Sequence, residues 1–532
     1  MRNALSKDPF SRIHLFLFAA NMSDWTSGYV ADIGYTYGYY NELNPNRATL
    51  AFLNAGFMPP SSGVHCELGY GQGLSVNVHA AASGTTWYAT DFNPSQAAFA
   101  QSLAASSGAD AHLTDEAFED FCNRADLPEF DSIGLHGIWS WISDENRAVI
   151  VDFIRRKLKV GGALYISYNT LPGWASFAPM RHLMTEHASV MGSPGKGVVS
   201  RVDAALEFAQ KLLDTNPLFA RANPSVVERL KKVATQDRHY LAHEYFNRDW
   251  HPMHFATMSQ WLGTAKIDFA CSANYLEHVD ALNLTPDQQA LLNEIPDASF
   301  KESVRDFMVN QQFRKDYWVK GARKLSAIEK SEMLKAHRLL LTSPRADVPL
   351  KLNGALGEAD LSAAIYTPIL DLMADHKVRT IEEIVKKINS KEVTFAQVIQ
   401  AAIVLIGTGH IASAQSEGQI SNSKQTTDKL NLNLMSKARF STELTFLASP
   451  VTGGGVSINR FQQLFLLALS QGKNQPREWA QFAWDTLASQ NQRLLKEGIA
   501  IESAEENIHE LTQQAEKFQA NKLPILKALK IA

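Results

Sequence analysis

Through the first third of the chain, short apolar runs alternate with longer stretches of helical spacing. Residues 63–66, 86–91 and 111–114 read as strands, 130–137 as a fourth strand with its exit loop, and 158–167 as a helix end, a Gly-Gly turn and a fifth strand. Residues 47–56 read as a helix stopped at Gly56 before Pro59-Pro60, and 74–81 as a small-residue helix. Strands alternating with helices predict a parallel sheet with right-handed crossovers, an α/β Rossmann-like domain. Beyond residue 198 the pattern changes. Residues 198–325 read as mostly helical, with a packing stripe of Ala205, Phe208 and Leu212 beside Leu206, Ala209 and Leu213. A third unit starts near Pro349: Thr380-Ile381-Glu382-Glu383 is a capping box, 393–405 a second helix, and His410-Ile411-Ala412 follows in winged-helix order. Residues 415–428 read as a polar linker, and the rest as a helical tail around the turn at 449–455.

One turn carries chemistry. Glu67-Leu68-Gly69-Tyr70-Gly71-Gln72-Gly73 lies between the first strand and its helix. Glycines let a backbone turn sharply and a ligand approach it closely. The dinucleotide fingerprint G-x-G-x-x-G needs a glycine where this chain has Leu74. A cofactor without phosphate has less need of a helix N-terminus aimed at an anion, which favours S-adenosylmethionine. Glu67 suits its ammonium, directly or through water. Asp91 closes the second strand at the distance where an acid accepts ribose hydroxyls. Asp115 and Glu116 follow the third strand, where an acid meets the adenine amino group. The glycine-rich loop at 192–197 lacks the phosphate-loop spacing and reads as a plain loop, and the triplet Gly453-Gly454-Gly455 reads as a turn.

Composition sets bounds. A chain of 532 residues implies several domains. A net charge of −4 argues against a dedicated nucleic-acid binder. Cys66, Cys122 and Cys271 are scattered without C-x-x-C, which fits a reducing cytoplasm. His239, His243, His251 and His254 look metal-like, but His243-Glu244 lacks the second histidine of H-E-x-x-H, so no metal is expected. No apolar run has the length of a membrane helix. Residues 2–20 resemble a weak leader, interrupted by Asp8 and His14, and Met22 is an equally good start.

In motif order, residues 45–180 resemble the class I S-adenosylmethionine-dependent methyltransferases. The phrases at 130–141 and 167–174, with Tyr240-Leu241-Ala242-His243-Glu244-Tyr245-Phe246, His251-Pro252-Met253-His254-Phe255 and Phe313-Arg314-Lys315-Asp316, resemble bacterial methyltransferases carrying a methyltransferase regulatory domain. That group includes protein lysine methyltransferases acting on outer-membrane proteins. The resemblance implies cofactor contacts at Glu67, Gly69, Gly71, Gly73, Asp91 and Asp115, and near His136. Tyr70 departs from the family pattern and either caps the cofactor or crowds it. The implied domains are an entry segment to residue 45, a cofactor domain at 46–185, a helical regulatory domain at 186–325, a winged-helix-like domain at 326–415 and a helical region at 416–532.

The acceptor is narrowed by two absences. The Asp/Asn-Pro-Pro-Tyr/Phe motif for planar nitrogens does not follow the fourth strand, which exits through Leu135-His136-Gly137-Ile138, and no Pro-Cys nucleophile is present. Flexible amines, hydroxyls and carboxylates remain. Trp139, Trp141, Tyr168 and Trp174 suit a narrow channel for an amine, with Tyr35, Tyr37, Tyr39 and Tyr40 as its lid. Tyr39, Trp139 and Tyr168 are the catalytic-side candidates, although Trp139 and Trp141 equally suit packing at the domain edge. The expected function is methyl transfer to lysines of a protein substrate, an outer-membrane or surface protein by resemblance, with a homodimer left open. The alternatives are a small-molecule methyltransferase with regulatory or dimerisation domains, or a binding protein on the same fold.

Overall fold

The computed structural model describes residues 36–192, 195, 197–388 and 393–532. Tyr35, the leader-like run before it, and Ser193, Pro194 and Lys196 of the glycine-rich loop lie outside the described residues.

The five expected strands are β1 (Val64–Leu68), β2 (Thr86–Thr90), β3 (Ala111–Thr114), β4 (Phe130–Leu135) and β5 (Leu158–Asn169), all paired in parallel. Two more, β6 (Ile267–Ser272) and β7 (Phe313–Lys320), complete a sheet of order β3-β2-β1-β4-β5-β7-β6, with β7 antiparallel to both neighbours. The segment 198–325, expected to be mostly helical, thus also gives the sheet two strands. β7 reads Phe-Arg-Lys-Asp-Tyr-Trp-Val-Lys, and its charges hide it from a hydrophobicity count. The strand order reverses at β1 and β4, and the crevice at that switch point is where ligands bind in open α/β sheets.

The charges on β7 are held by pairing. Helix α1 (Pro45–Ala55) lies against one face of the sheet, with Phe52 touching Tyr317. α2 (Leu74–Ser83), α3 (Pro94–Ser107) and α4 (Asp144–Lys157) are the crossovers between parallel strands. Residues 176–250 form a compact unit of their own, built on α5 (Ala178–Val190), α6 (Val198–Asp214), α7 (Pro224–Ala234) and α8 (Arg238–Tyr245). The stripe on α6 buries Ala205, Leu206, Ala209 and Leu213, while Phe208 is 41% exposed beside the His187 ring. Back in the sheet, Arg314 of β7 is buried and donates to Asp316 (2.8 Å), to Asp306 (2.6 Å) and to Glu302 (2.8 Å), the last two on α9 (Ala298–Met308). Burial, only partly offset by the guanidinium, raises Asp306 to about 7 and Asp316 to about 6. Arg314→Met leaves these carboxyls buried without their cation. We expect it to cost about 3–5 kcal/mol in chemical denaturation; a loss below about 1 kcal/mol would show that the cluster rearranges at little cost.

The C-terminal body is continuous with the sheet domain. β8 (Arg338–Leu341), β9 (Arg379–Thr380) and β10 (Ile411–Ser413) form a three-stranded antiparallel sheet of order β9-β8-β10. Around it lie α10 (Ala363–Met373), α11 (Ile381–Ile388) and α12 (Phe395–Gly407). α12 has no basic residue and buries Val398 and Ala401 through Ile406, so it offers nothing to a DNA groove. The expected polar linker is instead the start of α13 (Glu417–Lys437), capped by Ser416 and Gln419. Its polarity misleads because buried hydroxyls bond back into their own helix: Ser423 donates to the Gln419 carbonyl (2.9 Å) and Thr427 to that of Ser423 (2.7 Å).

α13 explains α2. Every residue of α2 is buried, and a helix hydrophobic or small on all sides must be covered on all sides. The sheet covers one side. On the other, Leu74, Val78, Ala81 and Ala82 share a core with Leu103, Leu430, Leu434 and Leu447. Thr426 donates to the Ala81 carbonyl (2.7 Å) and Gln415 to that of Ala82 (2.8 Å).

Candidate active site

The turn after β1 is built around left-handed glycines: Gly69, Gly71 and Gly73 have φ of 75°, 57° and 69°. Side chains are also excluded by space. A Cβ on Gly69 would sit 2.3 Å from Ile138 Cδ1, and one on Gly73 2.4 Å from Ala100 Cβ. Asp91 fastens the turn from the end of β2. One carboxylate oxygen accepts from the Gly71 N–H (2.9 Å) and the other from the Asn93 N–H (3.0 Å). Asn93 then caps α3.

Glu67, the last acid before the glycines, is 1% exposed, and its Oε2 has no hydrogen-bond partner. Burial, with the Asp91 charge adding to it, pushes its carboxyl up to about 8. Burial also raises Asp91, to about 6, against the two backbone donors. A buried carboxyl with an unsatisfied oxygen is costly alone and is satisfied by a cationic partner. Asp115 is exposed just beyond β3. Tyr70, inside the turn, is buried. Its ring packs among Val76, Ala89 and Ala100, and its hydroxyl donates to the Thr114 carbonyl (2.7 Å), tying the turn to the end of β3.

A second cluster stands across the switch point, beyond β4. The His136 ring stacks on Tyr40 (3.6 Å between centroids, 20°), its Nδ1 lies 2.7 Å from the Tyr165 hydroxyl, and Phe313 meets it edge-on at 6.4 Å. Burial lowers His136 to about 4, so the ring is neutral at physiological pH. Beside it Lys315 pairs with Glu42 at 2.7 Å, and the Tyr317 hydroxyl donates to the Glu42 carbonyl (2.6 Å). Burial alone would raise the Glu42 carboxyl, but the Lys315 ammonium holds it below its ordinary value. The Gly137 N–H is taken by Ser167 (2.8 Å).

Three catalytic-side expectations change. Tyr39 turns away from His136: its ring lies between His79 and Phe446, and its hydroxyl is buried. Tyr40, one residue on, is the tyrosine that faces the site. Tyr168 is buried on the opposite face of the sheet from Tyr165, donating to Asp316 (2.9 Å). Trp139 is fully buried, its indole N–H directed at Met253 Sδ (3.4 Å) and its carbonyl accepting from Arg147 (3.1 Å). Trp141 and Trp174 are buried too. These tryptophans pack. Glu42, Tyr165 and Lys315 were not among the sequence candidates. Among the described residues, no group of three or more His, Cys, Asp or Glu is placed to hold a metal ion, and no helix is long and apolar enough to cross a membrane.

Residues 237–320 match the family model described as a predicted methyltransferase regulatory domain. β6 and β7 lie within that match, so the segment named for regulation completes the sheet. The protein sll1526 of Synechocystis sp., called uncharacterized, is 39% identical over 513 residues, covering 96% of this chain and 100% of that one. The chain belongs to its family. A more distant member, RP789 of Rickettsia prowazekii, is 24% identical over 437 residues, 76% of this chain and 77% of that one. The fold is shared with PKMT2 from Rickettsia typhi, solved in complex with AdoHcy: TM-score 0.65, 18% identity, 92% of this chain and 98% of that one. A second structure of PKMT2 gives the same TM-score over 94% and 99%. The chain thus has a Rossmann-like α/β fold shared with PKMT2 and carries, at 237–320, the segment described as a predicted methyltransferase regulatory domain.

Proposed function

We propose that the protein is an S-adenosylmethionine-dependent methyltransferase that methylates lysine side chains of a protein substrate. The observation that carries the reading is Glu67: a buried carboxyl with an unpaired oxygen, at the switch point, on a glycine turn pinned by Asp91. The orphaned oxygen fits the cofactor's ammonium, and Asp91 fits its ribose hydroxyls. Gly69, Gly71 and Gly73 leave backbone open to close approach, and Asp115, exposed just beyond β3, is the acid that suits the adenine amino group. Bound there, S-adenosylmethionine would supply its methyl carbon to an attacking amine, the N–C bond forming as the S–C bond breaks, with S-adenosylhomocysteine as leaving group and the amine's proton passing to solvent.

The chain's own part is to bind, orient and tune charge. Neutral His136 adds no positive charge beside a sulfonium. Tyr40, Tyr165, Phe313 and His136 give an aromatic wall that attracts an ammonium by its π faces. Glu42 places a carboxylate on the same side, paired with the Lys315 ammonium. A lysine amine has an ordinary pKa of about 10.4, and a nearby sulfonium together with partial desolvation lowers it, so no strong general base is needed. The sequence resemblance to outer-membrane-protein lysine methyltransferases and the fold shared with PKMT2 support a protein acceptor. Three free, buried thiols suit a reducing compartment, which supports a cytoplasmic reaction.

The acceptor is tested with a methyl-labelled donor in a bacterial lysate, followed by digestion and mass spectrometry. Label on lysine ε-amines is expected. Label confined to small molecules would contradict the protein-lysine reading.

A further inference from the structure

We propose that the turn at residues 449–455 of the C-terminal body is the seat that sets Tyr40 against His136, making the C-terminal segment a positioning device for the acceptor wall. This rests on the reading of His136 and Tyr40 as that wall. The entry strand is clamped to the turn on both sides of the residues that matter. Before them, the Tyr39 ring lies flat on the glycines: a Cβ on Gly455 would be 2.9 Å from Tyr39 Cε2, and one on Gly454 2.3 Å from its hydroxyl oxygen. After them, the Asn44 side chain donates to the Thr452 carbonyl (3.1 Å), and Asn46 donates to that carbonyl and to Ser413 (3.3 and 3.1 Å). Between the clamps stand Tyr40 and Glu42, which face His136 and Lys315.

The link continues through α2. The Tyr40 N–H donates to Ser75 (3.3 Å), and its carbonyl lies 3.2 Å from His79 Nε2. The His79 ring also touches Tyr39, at 5.1 Å. Tyr39, Tyr40 and the helix following the glycine turn are therefore one packed unit with the C-terminal turn at its back. The glycine triplet has a physical reason. Gly453 takes φ of 68°, and Gly454 and Gly455 let an aromatic ring lie on bare backbone.

The test uses the full-length chain with labelled histidine. A ring stacked at this distance shifts the His136 ring-proton resonances upfield. In Gly454→Ala the added methyl meets both clamps, the Tyr39 hydroxyl and the Asn44 side-chain nitrogen (2.6 Å), and those resonances are expected to move downfield. Methyl incorporation into lysate protein should fall about ten- to a hundredfold, while the S-adenosylmethionine Kd stays within about twofold of wild type, as expected for a site that keeps its own contacts. Adding Tyr39→Phe removes the nearer clashing atom and should move the resonances part of the way back, the Asn44 contact remaining. Should Gly454→Ala be poorly folded, Tyr39→Ala tests the same clamp by removing the ring, and a downfield shift is again expected. Unmoved His136 resonances in a folded variant would overturn the proposal, as would a Gly454→Ala shift that Tyr39→Phe does not reduce. The resonances are read without cofactor, so failure of the methyltransferase reading would appear separately, as absent cofactor binding by the wild type.

Discussion

Deleting residues 416–532 is expected to leave a chain that does not fold, although the deletion removes no residue of the seven-stranded sheet or the glycine turn. It strips α13 from α2 and exposes Leu74, Val78 and Leu103, which are now buried. Each such side chain contributes roughly 1.5–3 kcal/mol by leaving water. Three give about 5–9 kcal/mol, before the alanines and the lost bond from Thr426 to the Ala81 carbonyl are counted. That is comparable to the whole stability of a typical domain, about 5–15 kcal/mol. Expression followed by circular dichroism and thermal melting checks it. A soluble, cooperatively melting fragment would show that α2 is supported from the sheet side alone.

The second large effect concerns cofactor binding. Asp91→Ala is expected to weaken S-adenosylmethionine binding by about 10²- to 10⁴-fold while the fold survives. Hydrogen bonds to a charged group contribute about 1.5–3 kcal/mol each, and two ribose hydroxyls are at stake. The variant also frees the Gly71 and Asn93 N–H groups that hold the turn in shape. Asp91→Asn keeps an acceptor and should fall between the two. Equal affinity in all three would remove Asp91 from the site.

Much of this site is legible in the sequence, and its limits have one cause. Glu67, the three glycines and Asp91 are local: a strand, a turn and the next strand end bring them together wherever the sheet forms. The acceptor side depends on parity. In an extended chain successive side chains point to opposite sides, so a shift of one or three residues reverses the answer. Tyr39 and Tyr40 differ by one, and Tyr165 and Tyr168 by three. In each pair the tyrosine singled out from the sequence lies on the far side. The pairing of β5 with β4 and β7 separates Tyr165 from Tyr168, and contacts with His79 and Phe446 on one side and His136 on the other separate Tyr39 from Tyr40. Glu42 and Lys315 are 273 positions apart and meet only once β7 has joined the sheet. β7 itself escaped because Arg314 and Asp316 are buried as an ion pair on one face while Lys315 projects to the other.

The central claim is that Glu67 awaits a cationic ligand on the glycine turn, and calorimetry against pH tests it most directly. In the free protein burial holds the Glu67 carboxyl near 8, whereas the unfolded chain has the ordinary carboxyl value. The folded state therefore keeps a proton that the unfolded chain gives up. This contribution to stability is present below the ordinary carboxyl range and is lost as pH rises through about 8. Cofactor binding runs the other way, because an ammonium favours the carboxylate. S-adenosylmethionine titrated into the wild type between pH 6 and 8 should bind more tightly as pH rises, by up to about tenfold per unit, and release up to about one proton. Glu67→Gln should bind more weakly at pH 8 and lose that pH dependence. No binding by the wild type at any pH in this range, or an affinity that falls as pH rises, would contradict the account.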